Sequence, residues 1–112
     1  MNINVNASDD ITVISPDDDI RVKTIIQLRK VFEGLQDEGC KKIAIDLERV
    51  NFIDSSGIGI LLNFARIQRE VEGCLCLYNY SDEIKELLDI VDLGDFIPVY
   101  KSFDEVKQAL TG

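Results

Sequence analysis

The chain has 112 residues, 46% hydrophobic and 29% charged, a size and composition that suit one compact domain over residues 1–112 and argue against full-length disorder. The net charge is −9, with five aspartates and no lysine or arginine in residues 1–19, so nucleic acid and anionic membrane are poor partners. Histidine is absent, which removes the commonest general base and the commonest metal ligand.

The N-terminal stretch alternates weakly. Ile3, Val5 and Ala7 are followed by Ile11 and Val13, with Ser8-Asp9-Asp10 as turn material between them, the pattern of a short hairpin. Ser15-Pro16-Asp17-Asp18-Asp19 stops the second strand. From Val22 to Glu38 the period becomes helical. Ile25, Leu28, Val31, Phe32 and Leu35 share one face, and Gly39 sits where a terminating glycine belongs. Ile43 to Leu47 reads as a buried strand. Val50 to Ile53 continues extended into Asp54-Ser55-Ser56-Gly57, and a second helix runs from about Gly57 to Val71.

Gly73 ends that helix, and Leu75 and Leu77 with their flanking cysteines form the next strand. Ser81 caps a third helix carrying Ile84, Leu87, Leu88 and Val91 on one face, closed by Gly94. Ile97 to Tyr100 is a last strand whose proline argues for an edge. Ser102-Phe103-Asp104-Glu105 is a capping box before Val106, Ala109 and Leu110. The order β-β-α-β-α-β-α-β-α describes an α/β fold. Its sheet is mixed but mostly parallel, of about five strands with four helices, and the first strand lies antiparallel at an edge.

No apolar run approaches the ~20 residues of a membrane span. Met1-Asn2-Ile3-Asn4 has no basic residue and no apolar signal region, so a cytoplasmic location is expected. Cys74 and Cys76 form a Cys-x-Cys pair on a strand and are not expected to bridge each other. Reduced thiols acting as small strand hydrophobes are the economical reading, and a zinc site would need further ligands.

The stretch that carries chemistry is Asn51-Phe52-Ile53-Asp54-Ser55-Ser56-Gly57-Ile58-Gly59. Two glycines open the second helix, each costing ~1 kcal/mol of helix propensity relative to alanine, which suggests close approach to the backbone there. A phosphate on a serine at a helix start is tolerated by its own helix. The bland alternative is that Asp54, Ser55 or Ser56 is simply an N-cap. Ile58, Leu61, Leu62 and Ala65 fall on one side of this helix, and Ile60, Phe64, Ile67 and Val71 on another. That arc exceeds the stripe one sheet covers. The excess is either a partner surface or lies buried under the first helix or a neighbouring loop.

Asp46-Leu47, then Val50 through Gly59 and on to Ile60-Leu61-Leu62, resembles the signature of the STAS domain, and within that family is most similar to bacterial anti-sigma factor antagonists. The likeness covers roughly residues 41–112, including the turn and helix at 80–88 and the capping-box helix at 102–110. Residues 1–40 match in element order only. Where the family commonly has Gly-x-Leu-Asp ahead of the first helix, this chain has Pro16-Asp17-Asp18-Asp19. The resemblance implies a single STAS domain and a phosphorylation switch. Ser56 is then the acceptor, with Ser55 the alternative, and Asp54 shapes the loop and contacts the kinase. Asp54, Ser55, Ser56, Gly57, Ile58, Gly59 and Leu61 would form the partner-binding surface.

The implied partner is an anti-sigma factor that is also a serine kinase. The unmodified antagonist binds it and frees the sigma factor. Phosphorylation ends the binding and a PP2C-type phosphatase restores it. ATP and magnesium belong to the kinase, so the chain itself needs no cofactor. Competing readings are a STAS binding subunit of another complex, of stressosome or transport type, without a phosphoserine switch, and a receiver domain with Asp46 as acceptor, Asp17–Asp19 as metal carboxylates and Lys101 as its lysine. An enzyme is disfavoured. A serine nucleophile needs an activating base, and the Gly-x-Ser-x-Gly elbow is absent.

Overall fold

A computed structural model describes residues 1–111. The strands are β1 (Ile3–Ser8), β2 (Ile11–Pro16), β3 (Lys42–Asp46), β4 (Cys74–Tyr78) and β5 (Val99–Tyr100), and the helices are α1 (Ile25–Asp37), α2 (Ser55–Glu70), α3 (Asp82–Ile90) and α4 (Phe103–Thr111). They build one five-stranded sheet in the order β1-β2-β3-β4-β5. β1 is antiparallel to β2 and every later pairing is parallel. The hairpin turns on Asp9 and Asp10, at φ 52° and 68°. Two successive left-handed residues are what a tight two-residue hairpin requires, and aspartate tolerates that region better than most residues.

Strand alternation divides the core. Ile14, Ile43, Ile45, Leu75 and Leu77 pack with α1, α2 and α3 on one face. Ile11, Val13, Ala44, Cys76 and Tyr78 pack with Val106 of α4 on the other. The central strands are therefore apolar on both sides, as a covered parallel sheet demands. Burial raises the thiol pKa of Cys74, and that of Cys76 to about 12, so neither is an activated thiolate.

The helix ends show where local signals act. α1 closes in a Schellman motif: Gly39 adopts φ 78°, Cys40 N–H reaches Leu35 O at 3.0 Å and Gly39 N–H reaches Gln36 O at 2.9 Å. Ser81 Oγ accepts the Ile84 N–H at 3.2 Å, and Ser102 Oγ accepts that of Glu105 at 3.3 Å.

Four expected boundaries move. α1 begins at Ile25 rather than Val22, because Thr24 Oγ1 accepts the Arg21 N–H at 3.0 Å and donates to Asp19 O at 2.6 Å, folding residues 19–24 into a turn. α2 begins at Ser55 rather than Gly57. α3 stops before Val91, which is exposed, because Asp92 turns left-handed at φ 53° and a short 3₁₀ turn, Leu93–Asp95, follows. β5 shortens to two residues, with Pro98 contributing its carbonyl to Leu77 N–H at 3.0 Å.

One buried polar side chain holds the far end of α2. Gln68 is fully buried, and its Nε2 donates to Lys41 O at 3.0 Å and to Cys40 O and Cys74 O at 3.3 Å. It thus ties the last turn of α2 to the start of β3 and β4. Gln68→Leu removes the buried donor and its three hydrogen bonds to these carbonyls, and is expected to destabilise the fold by about 1–3 kcal/mol. Urea unfolding of the two proteins measures this directly.

Candidate functional site

Residues 50–54 leave β3 and run beside residues 19–22. Ile20 and Ile53 form an isolated parallel bridge. Ile20 N–H donates to Phe52 O and Asp54 N–H donates to Ile20 O, both at 3.0 Å. The backbone of Asp54 is thus fixed before its side chain acts. Asp54 is extended (φ −85°, ψ −178°) and is the N-cap of α2. Its Oδ1 accepts the Gly57 N–H at 2.8 Å, and its Oδ2 accepts the Val22 N–H at 3.0 Å. The Gly57 hydrogen bond is the main reason its carboxyl pKa falls below the usual range. Burial opposes it, while the Val22 and Ser56 N–H groups and the Arg21 charge reinforce it.

Asp19 repeats the arrangement from the other side. Its Oδ1 accepts the Asn51 N–H at 3.0 Å and its Oδ2 pairs with the Arg21 guanidinium at 2.8 Å. That guanidinium lies 5.3 Å from the centroid of the Phe52 ring, within cation–π range.

On this frame Ser55 is the first residue of α2 and Ser56 the second; Ser55 is exposed and Ser56 half-buried. Among the described residues neither hydroxyl has a hydrogen-bond partner, so no base is positioned to activate either one. Such hydroxyls suit a group acceptor presented to another protein's active site better than a nucleophile.

The two glycines differ. A Cβ on Gly57 would lie 2.5 Å from Ile20 O and 2.7 Å from Ile53 Cγ2, whereas one on Gly59 would meet nothing within 4 Å. Close approach to the backbone, expected from both, holds for Gly57 and comes from the chain itself.

Of the residues expected to contact a partner, the structure brings Asp54, Ser55, Ser56, Ile58 and Gly59 to or near the surface, with Ile58 half-buried. Gly57 is buried. Leu61 must be removed from the set: it is 0% exposed and belongs to the core under α2. The second arc of α2 is covered in part: Ile60 and Phe64 are buried, Ile67 is half-buried and Val71 is exposed. Phe64 stacks on Phe32 of α1 with ring centroids 4.0 Å apart, so the excess apolar surface on this helix is spent largely against α1. The exposed apolar groups at this end of the molecule are instead Phe52 at 45%, Ile26 at 57% and Val22 at 61%. Sequence reasoning missed Arg21, Val22 and Ile26. Their signal was that Val22 and Ile26 lie off the Leu28-Phe32-Leu35 stripe.

Asp46 does not form a receiver site. Its carboxylate accepts from Glu48 N–H at 3.0 Å, Asn79 Nδ2 at 3.2 Å and Ser15 Oγ at 3.5 Å, tying the end of β2 to the loops after β3 and β4. Asp17, Asp18 and Asp19 each accept a different backbone N–H. Among the described residues no three carboxylate or thiol groups converge as for a metal, and no helix is long and apolar enough to cross a membrane.

The STAS domain family model matches residues 2–106. The anti-sigma-B factor antagonist of Staphylococcus aureus is 25% identical over 99 residues, 88% of this chain and 92% of that protein. An anti-sigma-factor antagonist (STAS) domain protein from Planctomyces limnophilus superposes with a TM-score of 0.81 at 26% identity, over 96% of this chain and 95% of that one. The Bacillus cell fate determinant SpoIIAA, solved in its phosphorylated form, shares the fold with a TM-score of 0.71 at 21% identity, over 96% and 99% of the two chains.

Two outcomes follow from the geometry. Gly57→Ala is expected to destabilise the protein by about 1–3 kcal/mol through overpacking, while Gly59→Ala stabilises it by about 0.5–1 kcal/mol; denaturant midpoints compare them. A depressed carboxyl pKa contributes stability above the unfolded value and loses it as pH falls through the folded one. The stability gap between wild type and Asp54→Asn is therefore expected to hold steady from neutral pH down to about pH 5 and to narrow below about pH 4. A gap independent of pH across that range would contradict the assignment.

Proposed function

The chain belongs to the STAS domain family, and on that premise we propose that it is an anti-sigma factor antagonist whose binding is switched off by phosphorylation of Ser56. Residues 1–112 act as one STAS domain with no catalytic activity of its own. The unmodified protein binds an anti-sigma factor that is also a serine kinase, in the cytoplasm, and frees the sigma factor. The kinase brings ATP and magnesium. The Ser56 Oγ–phosphorus bond forms as the γ-phosphoryl group leaves ADP, and the hydroxyl proton is released. A PP2C-type phosphatase hydrolyses the ester and resets the switch.

The observation that carries this reading is the pair of unpartnered serine hydroxyls on the first turn of α2, held on a rigid frame and flanked by exposed Phe52 and Val22. A phosphate there adds about −1.5 to −2 charges at pH 7. Its own helix tolerates that charge at the N-terminus. A partner pressed against the same surface would have to strip water from it, at several kcal/mol per buried ion. Even ~3 kcal/mol weakens binding more than 100-fold. The switch then needs no refolding, because one covalent change alters one interface. The Staphylococcus aureus relative, named an anti-sigma-B factor antagonist, supports the choice of partner class.

Isothermal calorimetry against the cognate anti-sigma factor tests this. Ser56→Ala is expected to bind as the wild type does, and Ser56→Asp to bind about 10- to 100-fold more weakly, since one carboxylate carries less charge than a phosphate. Equal affinities for the two variants would overturn the reading.

A further inference from the structure

Arg21 precedes Val22 and Ser56 precedes Gly57, and the N–H groups of Val22 and Gly57 end on the two oxygens of one carboxylate, Asp54 Oδ2 at 3.0 Å and Oδ1 at 2.8 Å. Two hydrogen bonds and the width of a carboxyl group therefore separate the two backbones. An arginine side chain spans that gap. Arg21 is also lightly held. Its side chain is 45% exposed, and its partners are the Asp19 carboxylate at 2.8 Å and the Phe52 ring at 5.3 Å. Exposed pairs of this kind contribute little. The other charges in the segment are Asp17, Asp18, Asp54 and Lys23.

We infer that Arg21 is the residue that takes up a phosphoryl group on Ser56, leaving Asp19 and the Phe52 ring to do so. The inference rests on the proposed modification of Ser56 and adds what the phosphate does within this chain. A phosphoserine dianion offers three acceptor oxygens and matches the guanidinium fork bidentately, whereas the half-buried Asp19 carboxylate holds it through one contact. Asp54 is already engaged, since each of its oxygens accepts a backbone N–H group. The transfer has a consequence for the partner surface. Phe52 loses the cation over its ring and the Asp19–Arg21 pair opens. Phosphorylation thus rearranges the exposed apolar group next to the serines as well as charging it.

The test installs phosphoserine at position 56 of the full chain by genetic encoding and follows the phosphorus-31 resonance through a pH titration. The second phosphate pKa, ordinarily near ~6, is expected to be lower in the wild-type background than in Arg21→Gln by about half a unit or more. Arg21→Lys, which keeps the charge without the fork, is expected to retain only part of that difference, and serves if Arg21→Gln does not fold. The same pKa in all three backgrounds would overturn the inference. Because the phosphoserine is installed directly, that result would leave the switch itself standing, whereas absence of phosphate on Ser56 in cells would contradict the switch alone.

Discussion

Two backbone N–H groups, from Val22 and Gly57, which lie far apart in sequence, meet at the Asp54 carboxylate. One starts α2 and the other pins the turn that precedes α1. The Ile20–Ile53 bridge lies directly beneath, and the lack of a side chain at Gly57 is what lets the first turn of α2 settle against Ile20. Remove the carboxylate, and the helix start and the loop that frames it lose their common anchor. The position of the two serines follows from this constraint. They are the residues between the cap and the glycine, and so they stand at the surface with fixed backbones and free hydroxyls.

The rest of the fold limits what surface remains. The sheet is covered on both faces, by α1, α2 and α3 on one side and by α4 on the other. α2 spends its apolar arc on the sheet and on Phe32. At the end that carries the serines, the surface open to a partner is a small region with Gly59, Phe52 and Val22, bordered by Asp19 and Arg21. A modification of one hydroxyl in so compact a region changes a large share of its charge. That is why a covalent switch here can act without any global movement of the domain.

Much of this was legible in the sequence, and the exceptions have physical causes. Alternation, helical period and the caps at Gly39, Ser81 and Ser102 placed every strand and helix, since those signals are local. The start of α1 was not legible. Val22 continues a helical pattern, and the turn over residues 19–24, tied by Thr24 and by a long-range hydrogen bond to Asp54, delays the helix. Leu61 was misplaced for a related reason: a helical wheel shows how wide an apolar arc is but not which neighbour covers it. Ser55 and Ser56 stood out as candidates because their residue types and the glycines after them are an unusual way to open a helix. Arg21 and Gln68 carried no local signal, and their roles exist only once distant segments meet.

The central claim is that Ser56 is a reversible phosphate acceptor, and mass spectrometry of the protein purified from its native cell tests it most directly. The account predicts a partly populated species about 80 Da heavier, the mass of one phosphoryl group, with the added mass localised to Ser56 by peptide fragmentation. Unmodified protein under every growth condition would contradict the switch and leave a constitutive STAS binding subunit in its place.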